Sequence, residues 1–327
     1  MLKQEKKAFT LVELLTVISI ITLIISLLVP ALNQVNKIAK DMKQRAQFHS
    51  IEVSLDIYKA EYEKYPVSFA HLGTGKYSCG AQTLAEALLG RDLQGFDPKS
   101  DFDALYDYTK SYSSTMDVPY YGVWLSSSQA NSNPAYKASL ARRKGPYLNL
   151  QNAAAYDLVS IYGTTRANSG DAYPGKAGGT APAPVISDIY FAKKIQIGPT
   201  GSKVTVKTGS PVLYFKADNS KINIDYVTNL PSHPEQMIYN FEDNRAIVEL
   251  GKVKARDVSK GALNNDEKNT IETLSIQEGW GKLFYEKIRN KNIVNQYIPY
   301  NKDKYILWSA GFDGDFGTND DIFNFGK

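Results

Sequence analysis

Residues 9–32 read Phe9-Thr-Leu-Val-Glu-Leu-Leu-Thr-Val-Ile-Ser-Ile-Ile-Thr-Leu-Ile-Ile-Ser-Leu-Leu-Val-Pro-Ala-Leu32, apolar almost throughout, with Glu13 as the single charge. A helix of this length spans roughly 36 Å, enough for the ~30 Å hydrocarbon core of a bilayer. Ahead of it stands a short basic leader, Met1 to Ala8, in which Lys3, Lys6 and Lys7 outweigh Glu5. A secretory signal has a short apolar region closed by a small-residue cleavage site. Here the run is too long and no Ala-x-Ala-like site follows it; the small residue, Ala8, precedes Phe9 instead. Glu13 sets the stretch apart from a plain anchor. A carboxylate inside a bilayer helix costs about 2.5–3.5 kcal/mol and is normally partnered. The plainer reading is that, near a helix start, it reaches interfacial water.

The junction Lys6-Lys-Ala-Phe-Thr-Leu-Val-Glu-Leu-Leu15 resembles the leader junction of type IV prepilins and type II secretion pseudopilins. The resemblance implies that a prepilin peptidase cuts between Ala8 and Phe9 and that the new amino terminus is N-methylated. It also implies that Glu13, fifth residue of the mature chain, pairs with the positive amino terminus at Phe9 of a neighbouring subunit. The family usually carries Gly before the cut, where this chain has Ala8.

Beyond the apolar run the helical pattern continues. Pro30 would normally kink or stop a helix, yet apolar positions recur at Val35, Ile38, Ala39, Met42 and Ala46, then at Ile51, Leu55, Tyr58 and Tyr62. These are spacings of three and four with charged residues between them, the pattern of an amphipathic helix. The stop is Tyr65-Pro66. A helix from Phe9 to about Lys64 is roughly 84 Å long, with 9–32 as a transmembrane segment and 33–65 as its amphipathic continuation. The positive stripe after the apolar run is either a solvated face or a contact for anionic headgroups. Tyr58-Lys-Ala-Glu-Tyr-Glu-Lys-Tyr-Pro-Val67 is similar to the end of the long helix in type II major pseudopilins.

Residues 66–327 leave ample chain for a head with a core of its own. Within it a short helix is expected at Gln82–Leu89, and Asn152–Ile161 reads as helix or strand. Pro119–Leu125 could be a strand. Further strands are expected at 186–191, 194–197, 203–207 and 211–216, a helix broken near Gly279 over Asp266–Arg289, and a last strand at Tyr305–Trp308. Gly209-Ser-Pro-Val-Leu-Tyr-Phe-Lys-Ala217 is similar to the core strand that follows the helix in pseudopilins. Ser126–Pro134 and Gly163–Pro184 are Ser, Gly, Pro and Ala clusters that read as exposed loops, and 94–185 looks like an insertion. The expected fold class is α+β and pilin-like: a long N-terminal helix packed on an antiparallel β-sheet head with large insertions.

Several function classes are excluded or unsupported. The net charge is +4, half of it in the leader, too little and too dispersed for nucleic acid. A single cysteine, Cys79, rules out an internal disulfide framework. His49, His71 and His233 are far apart with no zinc spacing. Gly73-Thr-Gly-Lys-Tyr-Ser78 lacks the full spacing of a phosphate-binding loop. No nucleophile elbow or dinucleotide fingerprint is present, so no enzyme is expected.

The remaining feature is acidic. In Leu307-Trp-Ser-Ala-Gly-Phe-Asp-Gly-Asp-Phe-Gly-Thr-Asn-Asp-Asp-Ile322, four carboxylates (Asp313, Asp315, Asp320 and Asp321) gather around Gly314 and Gly317. Calcium takes six to eight oxygen ligands on a flexible backbone, but the loop lacks the glycine and glutamate of an EF-hand. It resembles the calcium loop of the type II secretion major pseudopilin. That likeness implies Asp313, Asp320 and Asp321 as side-chain ligands and Leu307 as a backbone donor, with Asp315 a weaker candidate; an acidic turn without an ion is the plainer reading. Together the resemblances imply a pseudopilus subunit of a type II secretion-like system. It would be held in the inner membrane with its head in the periplasm, cut by prepilin peptidase, and assembled with its own copies on an inner-membrane secretion platform. A type IV pilin or minor pilin is the alternative within that class. A membrane-anchored exported binding protein or enzyme is the alternative outside it.

Overall fold

A computed structural model describes residues 10–72, 76–100, 102, 134–162, 184–190, 192–197, 203–221, 237–254, 263–273, 281–294 and 296–326. The chain divides into two compact units, Met1–Lys43 and Gln44–Lys327. Helix α1, Leu11–Tyr62, is 52 residues long, contributes to both units and runs through Pro30.

In the first unit residues 11–39 are all exposed. The most apolar 18-residue window has a mean hydropathy of 2.6 and none of it is buried, which makes it one candidate membrane span by length and composition. Its hydroxyls are turned back onto the helix. Thr16, Ser19, Thr22 and Ser26 donate to the carbonyls of Glu13, Leu15, Ile18 and Leu23 at 2.7–3.0 Å. Bonded in this way, they do not need water.

In the second unit α1 buries Gln44, Gln47, Phe48, Ile51, Ser54, Leu55 and Tyr58, one stripe at spacings of three and four. The head also contains α2 (Gly80–Leu89), α3 (Pro134–Arg142), α4 (Leu150–Ala153), α5 (Leu158–Tyr162), α6 (Arg245–Val248) and α7 (Lys282–Ile288). Its strands are β1 (Phe69–Leu72), β2 (Lys76–Cys79), β3 (Ala155–Asp157), β4 (Pro184–Ile186), β5 (Lys193–Ile197), β6 (Val204–Thr208), β7 (Leu213–Lys216), β8 (Tyr305–Ser309) and β9 (Ile322–Phe323).

The class is α+β, but the expected single sheet is four small antiparallel ones among the described residues: β1–β2, β3–β4, β5–β6 and β7–β8–β9. Asn152–Ile161 is neither one helix nor one strand: α4, β3 and α5 follow one another there. Of the expected Asp266–Arg289 helix, a short 3-10 turn at Asn265–Glu267, α-helical residues 270–273 and α7 are present, and 274–280 lie outside the described residues. The β1–β2 hairpin was not anticipated. The expected strand at 119–125, the loop at 163–183 and the break at Gly279 lie outside the described residues.

The centre of the head is the β7–β8 pair, in register Leu213↔Trp308, Tyr214↔Leu307, Phe215↔Ile306 and Lys216↔Tyr305. Successive side chains of a strand point to opposite faces. Accordingly Tyr214, Tyr305 and Leu307 join the cluster containing Phe48, Ile51, Leu55 and Tyr58 of α1. Leu213, Phe215, Ile306 and Trp308 join a second cluster with Ile247 of α6 and Phe284 and Ile288 of α7. Both strands are therefore apolar on both faces, which is why they read as unbroken apolar runs.

Candidate functional site

Two places carry the functional expectations: the start of α1 and the loop between β8 and β9. At the first, Ala8 and Phe9 lie outside the described residues. Glu13 is exposed and sits in the first turn. Its Oε2 accepts the Thr10 N–H at 2.9 Å and the Thr10 hydroxyl at 2.8 Å, and its own N–H donates to Thr10 Oγ1 at 3.2 Å. This is a capping box, in which Thr and Glu three residues apart satisfy each other's orphaned N–H groups. Thr10-Leu-Val-Glu13 carries that signature in the sequence, which neither the paired-charge reading nor the interfacial-water reading of Glu13 used.

At the second, β8 delivers the acidic loop from the centre of the head. Leu307 is fully buried, and its carbonyl accepts the Asn324 N–H at 3.3 Å while Asn324 Oδ1 accepts the Leu307 N–H at 3.0 Å. The expected backbone ligand thus has its carbonyl engaged near β9. The loop then doubles back on itself. Gly311 sits at φ +68°, and an added Cβ would lie 2.0 Å from the Asp320 carbonyl, so only glycine allows the two arms this close.

The four carboxylates take different partners. Asp313 and Asp320 face one another: Asp320 Oδ2 accepts the Asp313 N–H at 3.0 Å, Oδ1 accepts the Thr318 hydroxyl at 2.9 Å, and Asp313 Oδ1 accepts the Asp315 N–H at 2.9 Å. Burial holds the Asp313 carboxyl above its ordinary range; the Asp315 N–H opposes this, and the Asp320 side chain reinforces it. Asp315 turns away, accepting the Thr270 N–H and hydroxyl at 2.6 and 2.7 Å and pairing with Lys252 at 2.9 Å. The Asp321 side chain is 2% exposed and pairs with Lys287 of α7 at 2.9 Å. Lys287 also donates to the Thr318 carbonyl, and Lys254 donates to the carbonyls of Phe312 and Asp313 at 3.3 and 3.1 Å. Burial pushes the Asp321 carboxyl up to about 7 despite Lys287.

For calcium the fit is partial. Asp313 and Asp320 form a crowded like-charge pair that a divalent cation would relieve. Asp315 and Asp321 already have ammonium partners. Among the described residues no three Asp, Glu, His or Cys side chains converge as a metal cluster.

Sequence reasoning also missed Asp188, which roots the loop. Buried at the end of β4, it accepts from Ser309 Oγ at 2.9 Å, Ser210 N at 3.1 Å and Tyr190 N at 3.2 Å. Burial raises its carboxyl to about 7 against those donors. Its signal was a charge inside an apolar run, Val185-Ile-Ser-Asp-Ile-Tyr190. No protein-family model, curated protein or solved structure matches the chain.

The Lys287–Asp321 pair sets a pH dependence. In Lys287→Met the carboxylate stays buried without its ammonium, a loss of about 3–5 kcal/mol. The folded carboxyl, raised to about 7 with Lys287 in place, rises further without it. Relative to the parent chain the deficit is therefore small in acid, where both folded carboxyls are protonated, and opens as pH rises past about 7, where only the parent's carboxyl ionises. Thermal unfolding of the detergent-solubilised chain in chelator, at about pH 5 and about pH 8, should show a deficit concentrated at the higher pH. Equal deficits at both would assign the effect to packing.

Proposed function

We propose that the chain is a filament subunit of the type II secretion pseudopilin class, processed before Phe9 and held in the inner membrane until it assembles. The observation that carries this reading is the first part of α1: an apolar helix exposed on every side, with Glu13 alone in its first turn. Apolar surface of that extent must be covered by lipid or by other copies of itself. The head supplies a separate core, so the helix is not needed as an interior element of its own chain. The leader junction Lys6-Lys-Ala8 before Phe9 supports processing rather than a plain anchor.

Glu13 serves two demands in this reading. Its Oε2 satisfies the cap, while its charge is compensated in the filament by the amino terminus at Phe9 of a neighbouring subunit. Calcium belongs to the same proposal, held by the Asp313–Asp320 pair and stiffening the C-terminal end of the head.

Three measurements test this. Mass spectrometry of protein extracted from its own membranes should find N-methyl-Phe9 as the first residue; an intact Met1, or a cut after Leu32, would sink the reading. Glu13→Gln keeps an acceptor for Thr10 but removes the charge. It should insert normally and fail to assemble, whereas normal filaments would refute the pairing. Calcium should raise the melting temperature of the detergent-solubilised chain over that in chelator. At a hundredfold excess over Kd, binding adds about 2.7 kcal/mol; Asp313→Asn and Asp320→Asn should each abolish the gain. An unchanged melting temperature with no heat of binding would leave the loop an acidic turn.

A further inference from the structure

A cleft in the head lies where α1 ends, bounded by the turn after β7, the segment before α6 and the residues ahead of β8, with a volume of about 770 Å³. That is the size range of a small-molecule site. Five lysines line it: Lys59 and Lys64 from the end of α1, Lys216 and Lys221 from around the β7 turn, and Lys304 from before β8. They come from three separate segments, so their convergence is a product of the fold rather than a charge run in the sequence.

Three aspartates share the cleft, so its lysines outnumber its carboxylates. Asp218 Oδ1 accepts both the Ser220 N–H at 3.0 Å and the Ser220 hydroxyl at 2.6 Å; these bonds, and to a lesser degree Lys221 and Lys216, hold its carboxyl below its ordinary range, so it offsets part of the charge of those two lysines. Asp243 is buried, accepts the Ser68 hydroxyl, and is raised to about 7 by that burial, which weakens its charge near neutrality. Asp303 is the third. None of the five lysines forms an ion pair with a carboxylate among the described residues, in contrast to Lys252 and Lys287 of the same head. Lys59 is also held in place, its ammonium 4.5 Å above the Tyr65 ring, so one cation is positioned before any ligand arrives.

We propose that this cleft binds a small polyanion, a molecule with two or more phosphate or carboxylate groups spaced to meet ammonium groups on facing walls. Lysine ammonium groups act on such anions as point charges with rotatable donors. Ser68, Asn240 and Ser220 add neutral polar groups to the lining. The inference is independent of filament assembly and of the acidic loop.

Titration calorimetry on the full chain in a non-ionic detergent, at fixed ionic strength, tests it with pyrophosphate, citrate and inorganic phosphate as probes. Pyrophosphate or citrate should bind saturably and more tightly than phosphate, and added salt should weaken the binding. Lys216→Gln combined with Lys304→Gln should raise Kd by about tenfold, the sum of two partly exposed charge contacts. The pair Lys137→Gln with Lys291→Gln, exposed lysines outside the cleft, should leave Kd unchanged. Circular dichroism checks that each variant keeps its fold. No saturable binding of any probe, or equal weakening by the two variant pairs, would overturn the assignment.

Discussion

The head rests on one constraint: β7 and β8 pair through a four-residue register and are buried on both faces. Each fully buried aliphatic or aromatic side chain contributes about 1.5–3 kcal/mol, and this pair presents seven of them to two different clusters. One face requires the α1 stripe of Phe48, Ile51, Leu55 and Tyr58; the other requires Phe284 of α7, its ring tilted against Phe215 at 4.7 Å and stacked on Trp308 at 5.8 Å between centroids. Enclosing strands in this way removes water from their polar groups, so every exit from the sheet needs a partner. Asn244 supplies one, donating to the Tyr214 carbonyl at 2.6 Å and accepting the Ala81 N–H at 2.9 Å. Tyr214 supplies another through its hydroxyl, 2.8 Å from the Pro66 carbonyl.

The same enclosure explains why the acidic loop is anchored as it is. Where β8 leaves the core at Ser309, the neighbouring carboxylate is Asp188, and Gly209 lets it approach: an added Cβ there would stand 1.8 Å from Asp188 Oδ1. A buried carboxylate is costly unless its lone pairs are used, and Asp188 has three donors. Beyond this root the loop emerges among lysines. Buried ion pairs contribute little net energy relative to apolar substitutes, but breaking one is expensive. Lys287 and Lys252 therefore act chiefly on geometry: they hold Asp321 and Asp315 apart from Asp313 and Asp320.

What the sequence revealed follows from the range of the forces involved. The apolar run of α1 and its amphipathic continuation are local patterns, and the helix lies within two residues of its expected ends. β7 and β8 were legible because double burial makes them uniformly apolar. Their division between two cores was not, since it depends on which helices cover each face. The β3–β4 pair was hidden because its strands meet across a long connection, and no propensity encodes a distant partner. The acidic loop was visible as a cluster. Its lysines were not: Lys252, Lys254 and Lys287 lie far from it in sequence and are unremarkable one at a time. Thr10 and Glu13 differ in kind: their capping signature is local and stands in the sequence, three residues apart.

Charge placement separates the two kinds of lysine in this head. Around the acidic loop, each ammonium group has a defined acceptor at 2.9–3.3 Å, either a carboxylate or a backbone carbonyl. Those lysines complete a structure, and mutating them acts through folding. Around the cleft at the end of α1, five lysines share the lining with three aspartates, of which Asp218 is bonded within its own turn and Asp243 is weakened by burial. Mutual repulsion among such cations opposes folding slightly, and an incoming anion would relieve it. The abundance of lysine is common to both places; only the presence or absence of an internal acceptor distinguishes a structural cation from one directed at a ligand.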